Sequence, residues 1–503
     1  MRAGWGVDGR KKLWPALLIL GFTARASAQA NYEGALIGGR SSLMGGTGVA
    51  AGIDSAAPLQ NPSTIIGIEG TSFVFSTFFL QINQRSFDPD ANGSASNAAQ
   101  LERGSTHLSQ TELRVLPNST CLFFDVHKVP GQVRGHQKAS ICLAEPETES
   151  FSLNTSAVAE LDSNRSGFQQ RVLAQEFSKK VYALSWALAL SKDLSLGVSP
   201  MLEEVSFNDT EAIATITADA SLAEAVGSPG KNTANIAYRK ASGYALSALV
   251  GARYRPSPNL ALGVSLLTPS LSLGGSYRGT RSFEATRSDS EEYSQERGSA
   301  HFGYPLRLAL GLAATFGRVG FEINGFFHTG RNDFASFDAS RAAVGVNSGI
   351  ITSAGTEPIH YQEAVQPIVN AGVGLEYKLS KKWSLLTGLL TDFSGLRPRA
   401  SVGSSAIFRS QMDAVHGSVG VAWKPRAGSV LLGVRGFYGE GDMVTSSPRS
   451  LPVEQVVASQ SHWGLSLVIS GQLTLEMIAE ADPTGLLKKA AAPSAADGPK
   501  KAP

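Results

Sequence analysis

The amino-acid sequence predicts an all-β protein: a membrane-embedded, antiparallel up-and-down β-barrel of about fourteen strands, with an N-terminal hatch segment in its lumen. Three observations carry this expectation. The chain opens on an export signal, its strands alternate large apolar with small or polar residues, and the connections between strands are alternately very short and long.

Residues 1–28 have the parts of a secretory signal peptide in order: Arg2, Arg10, Lys11 and Lys12, then the apolar run Leu13 to Phe22, then Ala26-Ser27-Ala28. Cleavage after Ala28 leaves Gln29 first, cleavage after Ala30 satisfies the same small-residue rule, and no lipobox cysteine follows. The apolar run is about half the roughly twenty residues a spanning helix needs. Only 17% of the 503 residues are charged, below the usual quarter or so, so something other than charge covers the surface. Lys and Arg are spread along the chain and the formal net charge is +2, which implies no nucleic-acid partner. Mean hydropathy is -0.03, the average expected of strands with one lipid face and one lumen face. Signal and barrel together predict a Gram-negative outer-membrane location.

The alternation is clearest from Val181. Tyr182, Leu184, Trp186, Leu188 and Leu190 fall on one face, and Ala183, Ser185, Ala187 and Ala189 on the other. It recurs at Leu260, Leu262, Val264 and Leu266, at Leu306 to Leu312, at Val415 to Trp423 and at Trp463 to Ile469. A soluble sandwich also alternates, so the connections decide. Short turns at Lys192-Asp193, Ser257-Pro258-Asn259, Gly317-Arg318, Ser380-Lys381-Lys382 and Pro425 to Gly428 alternate with long polar stretches at 85–113, 157–178, 207–240, 275–302, 330–364, 396–410 and 441–457. Short turns on one side and long loops on the other follow from transmembrane barrel topology. Tyr254, Phe316, Tyr377, Trp383 and Trp423 lie on the apolar phase beside short turns, where an interfacial girdle belongs. The barrel is expected over 71–474. Pro200 and Pro269 fall in predicted strands, where each marks a wall kink or a strand end.

Cys121 and Cys142 flank the turn Val129-Pro130-Gly131-Gln132 almost symmetrically. A hairpin there brings the thiols together for one disulfide in an oxidising compartment, or leaves two small apolar wall residues. The sequence holds no GxSxG elbow, no HExxH and no Cys/His spacing suited to zinc, so no enzyme, metal or cofactor is expected. Gly46-Thr47-Gly48-Val49-Ala50-Ala51 matches a dinucleotide-binding pattern without the strand and βαβ unit that would make it one. On the inward phase lie Arg253, Arg307, Glu322, Asn324, Glu376 and Arg435, candidates to line a ligand path or simply a polar lumen. Residues 475–503, rich in Ala, Pro and Lys, are expected to form a disordered periplasmic tail.

Residues 29–70 are rich in Gly, Ala and Ser, lack alternation, and are long enough to fill a lumen. Gly38-Gly39-Arg40, Met44-Gly45-Gly46-Thr47-Gly48, Asp54-Ser55 and Asn61-Pro62 resemble the N-terminal plug of the FadL/TodX family of outer-membrane hydrophobic-compound transporters. Gln60 stands where an aromatic commonly precedes Asn-Pro, and Ser63 where Ala commonly follows. The resemblance implies a fourteen-stranded barrel closed by a hatch. It also implies passive transport of a hydrophobic ligand such as a long-chain fatty acid, with outer-membrane lipids as the surroundings and a monomer as the unit. The rival reading is a structural or secretion-associated barrel that docks protein partners and transports nothing.

Overall fold

The computed structural model describes residues 31–33, 37–88, 106–113, 118–127, 134–162, 165–219, 231–285, 290–347, 349–396, 407–425, 428–446 and 455–474. The expected signal peptide, the C-terminal tail and the Pro130-Gly131 turn lie outside them. Among the described residues nineteen strand segments form one antiparallel sheet. Its last strand, Gln455–Thr474, pairs with its first, Ser72–Asp88, with Ser72 opposite Thr474, so the sheet closes on itself. Five staves consist of two segments in line: Thr106–Leu113 with Ser119–His127, Leu260–Leu267 with Leu271–Ala285, Ser290–Phe302 with Arg307–Phe316, Val319–His328 with Arg331–Asn347, and Ile350–Val365 with Ile368–Lys378. The barrel therefore has fourteen staves, the number the alternation predicts.

Alternation fixes which phase faces out. Leu184 is 59% exposed and Ala183 beside it 2%. Tyr182, Trp186, Leu262, Val264, Leu310, Leu312, Val415, Val419, Trp463 and Leu465 are likewise exposed, on staves all round the ring. An apolar belt of this extent far exceeds what a protein presents to water, and a closed barrel is one of two backbone arrangements that lipid tolerates. The chain is a membrane-embedded barrel. At the short-turn end Tyr254, Phe316, Tyr377, Trp383 and Trp423 all point outward, and the Trp383 and Trp423 rings stack at 6.1 Å.

The long stretches correct the sequence reading. Much of 157–178, 207–240, 275–302 and 330–364 is strand: Gln137–Asp162 meets Arg165–Ala189 across residues 163–164, and Arg331–Asn347 meets Ile350–Val365 across 348–349. Beyond the lipid a strand needs no apolar face, so the period-two contrast fades while the hydrogen-bond ladder runs on.

Four neighbouring staves are interrupted at one level, at 268–270, 303–306, 329–330 and 366–367. Pro269, Pro305 and Pro367 occupy three of these breaks, and proline has no N–H to give a ladder. The Arg331 guanidinium lies across the seam and donates to the carbonyls of Ser270 (2.9 Å) and Tyr304 (3.0 Å). Pro200 sits in an unbroken strand opposite Ala248.

Candidate functional site in the barrel lumen

Residues 37–70 contain a five-residue helix, Gly39–Leu43, a four-residue helix, Ala57–Gln60, and a 3-10 turn, Pro62–Gly67. Helices this short are not stable alone. Asp54 ties them together by accepting from the backbone N–H of Ser41 (2.8 Å) and of Ala56 (3.0 Å). Burial pushes its carboxyl above the usual range, against the pull of those donors. Asn61 caps the 3-10 turn, its Oδ1 accepting from Ser63 N (3.1 Å) and Ser63 Oγ (2.7 Å), with Pro62 at the first turn position. The two departures from the family pattern are thus in use. Gln60 Nε2 donates to Ser41 Oγ (3.0 Å) and Gly46 O (2.9 Å), closing the segment on itself.

The wall comes up to this segment through glycines. A Cβ at Gly197 would meet the backbone of Pro62 and Ser63; at Gly263, Val49 and Ala50; at Gly374, Met44; at Gly388, Gly45; at Gly420 and Gly433, Leu43. These glycines stand on six of the fourteen staves: at the first four the backbone of 37–70 lies against the bare wall, and at Gly420 and Gly433 the Leu43 side chain does. Lys138 fixes its exit. Fully buried, its Nζ donates to Ile68 O (2.5 Å) and Gly70 O (2.8 Å) and pairs with Asp125 (3.2 Å). Cys121 and Cys142 face each other across adjacent strands, joined by a disulfide on the lumen side beside Ser55.

The outer half of the lumen is filled differently. Phe177, Phe207, Phe302, Phe334, Phe337, Phe408, Tyr277 and Tyr361 form an aromatic core, with the Tyr277 and Phe337 rings stacked at 4.7 Å. Ile407, Phe408 and Arg409 enter it from the barrel's mouth. Arg409 spans to the opposite wall, where Nε donates to Asp209 Oδ1 (2.6 Å) and Nη2 to Asp209 Oδ2 (3.0 Å) and Glu211 (3.0 Å). Arg239 pairs with the same Asp209 at 2.7 Å. The outward residues at this height, Glu176, Asn208 and Lys240, are polar, which puts the cluster beyond the lipid belt. Burial would raise the Asp209 carboxyl, but Arg239 and Arg409 outweigh it and hold the group down at about 2.

Between the two fillings lies a cavity of about 80 Å³. Its apolar walls come from Ile37, Leu59, Val181, Met201, Leu267 and Pro305. Its polar side is pre-paired. Lys179 Nζ lies 3.4 Å from Glu203 and 3.2 Å from the centre of the Tyr304 ring, and Glu203 accepts from Ser247 Oγ (2.5 Å). Glu33 lies 3.2 Å from His328, on which Tyr32 stacks at 4.3 Å. A site of this make-up accepts an apolar body and offers it few fixed polar contacts.

No family model matches the chain, and no curated protein matches it in sequence. Solved structures do. A Pseudomonas aeruginosa FadL homologue superposes with a TM-score of 0.50 at 12% identity, covering 90% of this chain and 99% of its own. The Pseudomonas putida toluene transporter TodX gives 0.50 at 15% identity, covering 87% and 97%. A TodX deltaS2S3 mutant, a monoaromatic hydrocarbon channel, gives 0.51 at 13% identity, covering 87% and 98%. This chain has the FadL/TodX fold. At these identities the likeness is one of fold alone.

In this FadL-like barrel the six inward candidates all lie on the lumen side, and four of them hold the N-terminal segment. Glu322, 1% exposed, accepts from the backbone of Ala50 (3.0 Å) and Ala51 (3.2 Å) and lies 3.9 Å from Arg40. Glu376 takes the other arm of Arg40 at 3.2 Å. Asn324, with its amide turned to satisfy both neighbours, accepts from Gly48 N (2.9 Å) and Val49 N (3.2 Å). Arg307 donates to Leu59 O (2.7 Å) and also lines the cavity. Arg253 lies beside Gly67, and Arg435 is engaged with His416 (2.7 Å) and the Phe78 ring. Of the motif residues in the segment, Gly45 and Gly48 adopt positive φ, as does Gly46. Arg40, Lys179, Glu203, Asp209 and Arg409 were not singled out by sequence. Arg409 lay in a stretch read as an external loop, and only the placing of Arg40 after two glycines hinted at its use.

Proposed function

We propose that this protein carries small hydrophobic molecules through a plugged barrel in the outer membrane, without enzyme chemistry. The supporting observation is the cavity itself: a mostly apolar space between the barrel wall and Tyr32, Glu33, Ile37, Leu59 and Gln60 of the N-terminal segment. In this reading residues 29–70 are a hatch, and a ligand moves from the outer mouth to the cavity and onward when the hatch shifts. FadL/TodX-fold proteins include a toluene transporter and a monoaromatic hydrocarbon channel, and the same class of cargo suits these walls. Long-chain fatty acid transport is the finer form of the proposal, with Arg307 at the cavity edge as the group that meets a carboxylate. The export signal and a monomeric unit belong to the same reading. A docking barrel with no cargo predicts a polar, filled lumen at this level, and the cavity favours transport over it. Proteoliposomes holding the purified protein are expected to admit labelled long-chain fatty acid or toluene faster than liposomes holding an unrelated barrel without a plug. Equal entry of both compounds would sink the proposal.

A further inference from the structure

The outer wall carries a feature that the lumen does not explain. Register sets Lys240 opposite Arg278, and Arg278 opposite Arg297, on three neighbouring staves. Their chain neighbours Arg239, Tyr277 and Glu296 point into the lumen and are bonded there. Lys240, Arg278 and Arg297 therefore stand on the outward face, and all three are exposed. With staves about 4.8 Å apart, three positive charges share one row, and like charges set directly opposite destabilise a sheet. Other cations of this barrel have partners: Arg239 and Arg409 on Asp209, Arg341 on Glu296, Lys179 on Glu203. Among the described residues these three have no hydrogen bond or ion pair.

What lies beneath the row points to its occupant. Two residues toward the lipid the same three staves present Ser242, Ser276 and Ser299 side by side, with the first two hydroxyls 3.4 Å apart. Next comes Tyr244, and then Leu246 opposite Leu271, large and exposed on the apolar belt. From the outside inward the wall reads cations, hydroxyls, a phenol, aliphatic chains. A phosphorylated glycolipid standing in the outer leaflet presents its phosphates, sugar hydroxyls and acyl chains in that order. We infer that Lys240, Arg278 and Arg297, with the serines below them, form a binding site for the phosphate-bearing headgroup of an outer-leaflet glycolipid. Guanidinium groups match phosphate oxygens in pairs, and the lipid's charge relieves the repulsion in the row. This inference rests on the lipid-facing reading of the belt with its extended staves outward, and is independent of what crosses the lumen.

The test compares the full chain with its Lys240→Gln/Arg278→Gln/Arg297→Gln variant in phosphatidylcholine nanodiscs containing a small fraction of lipid A, counting retained lipid by native mass spectrometry. A Lys381→Gln/Lys382→Gln variant, altered at the opposite rim, is the control. Wild type and control are expected to retain lipid A in preference to phosphatidylcholine, less so as salt rises. The triple variant is expected to bind it weaker by on the order of a hundredfold. Equal retention by the triple variant overturns the inference, and so does full displacement by millimolar inorganic phosphate, which would mark a free-anion site. Where the triple variant loses heat-modifiable migration, Arg278→Gln alone is read instead, with a loss of about fivefold expected and no loss overturning the site. A barrel that admits no fatty acid or toluene yet retains lipid A in this way refutes only the transport proposal.

Discussion

The two fillings of this lumen are built on opposite principles. The inner one is backbone laid on backbone: residues 39–67 lie against bare glycines and are held by side chains that reach for main-chain N–H and C=O groups, as Glu322, Arg307 and Lys138 do. The outer one is side chain packed on side chain, an aromatic core locked by Arg409 on Asp209 across the mouth. Main-chain contacts are spread over many weak points and tolerate loss of any one side chain, but not addition of atoms to the wall. The ion-pair lock is the reverse. It concentrates its strength in a few atoms and fails when one of them is removed.

That contrast can be broken from the outer side first. Arg409→Ala leaves Asp209 buried with Arg239 and the Gln175 amide, and losing one partner of a buried pair costs about 3 kcal/mol. With Phe408→Cys as reporter, maleimide labelling from outside is expected to speed up on the order of a hundredfold. An unchanged rate would show that the aromatic core closes the mouth without the lock. On the inner side Gly388→Val drives a side chain into Gly45 and Met44, an overpacking of about 2 kcal/mol. Labelling of Met44→Cys should then rise on the order of tenfold. Gly325→Val, where a Cβ meets nothing within 4 Å, should leave it unchanged. Glu322→Ala removes the acceptor of two backbone donors and a partner of Arg40, for a loss of about 1 to 2 kcal/mol in urea unfolding. A variant as stable as wild type would mean that water replaces the carboxylate.

Acid sharpens the comparison least, because little of the natural pH range reaches it. The Asp209 carboxyl is held below its unfolded value, so its contribution is fully present above about pH 4 and is lost as pH falls through about 2. Labelling of Phe408→Cys, taken relative to a fully exposed cysteine at the same pH because only the thiolate reacts, is expected to stay slow from neutrality to about pH 4 and to rise only below it. A rise near pH 6 would place control of the mouth elsewhere.

The staves were legible where lipid imposes contrast. Tyr182 to Leu190 declare their outward face because every second residue must satisfy hydrocarbon and its neighbours must not crowd the lumen. The same strand continued through Phe177 and Gln175 was read as loop, since outside the belt polar residues are allowed on both faces. The inward phase of Arg307, Glu322 and Asn324 was legible for the same reason as the staves. Their partners were not: they are main-chain groups some 250 residues away, and a carbonyl such as that of Leu59 leaves no mark in the sequence. Asp209 and Arg409, 200 residues apart in the chain, meet only because the barrel brings opposite walls within reach of a long side chain. The Gly45 to Gly48 cluster signalled turns, and the wall glycines that receive it looked like any small residues of an alternating strand.

The seam at 268–270, 303–306, 329–330 and 366–367 has a mechanical meaning. On that side the barrel is two stacked hoops, parted where prolines interrupt the ladder and joined there by Arg331 on the Ser270 and Tyr304 carbonyls and by a few remaining backbone bonds, such as Ser270 N–H to Tyr304 O (3.1 Å). A load applied to the outer hoop, as when something large lands on the mouth, is expected to strain this level first, because ladder bonds are missing there.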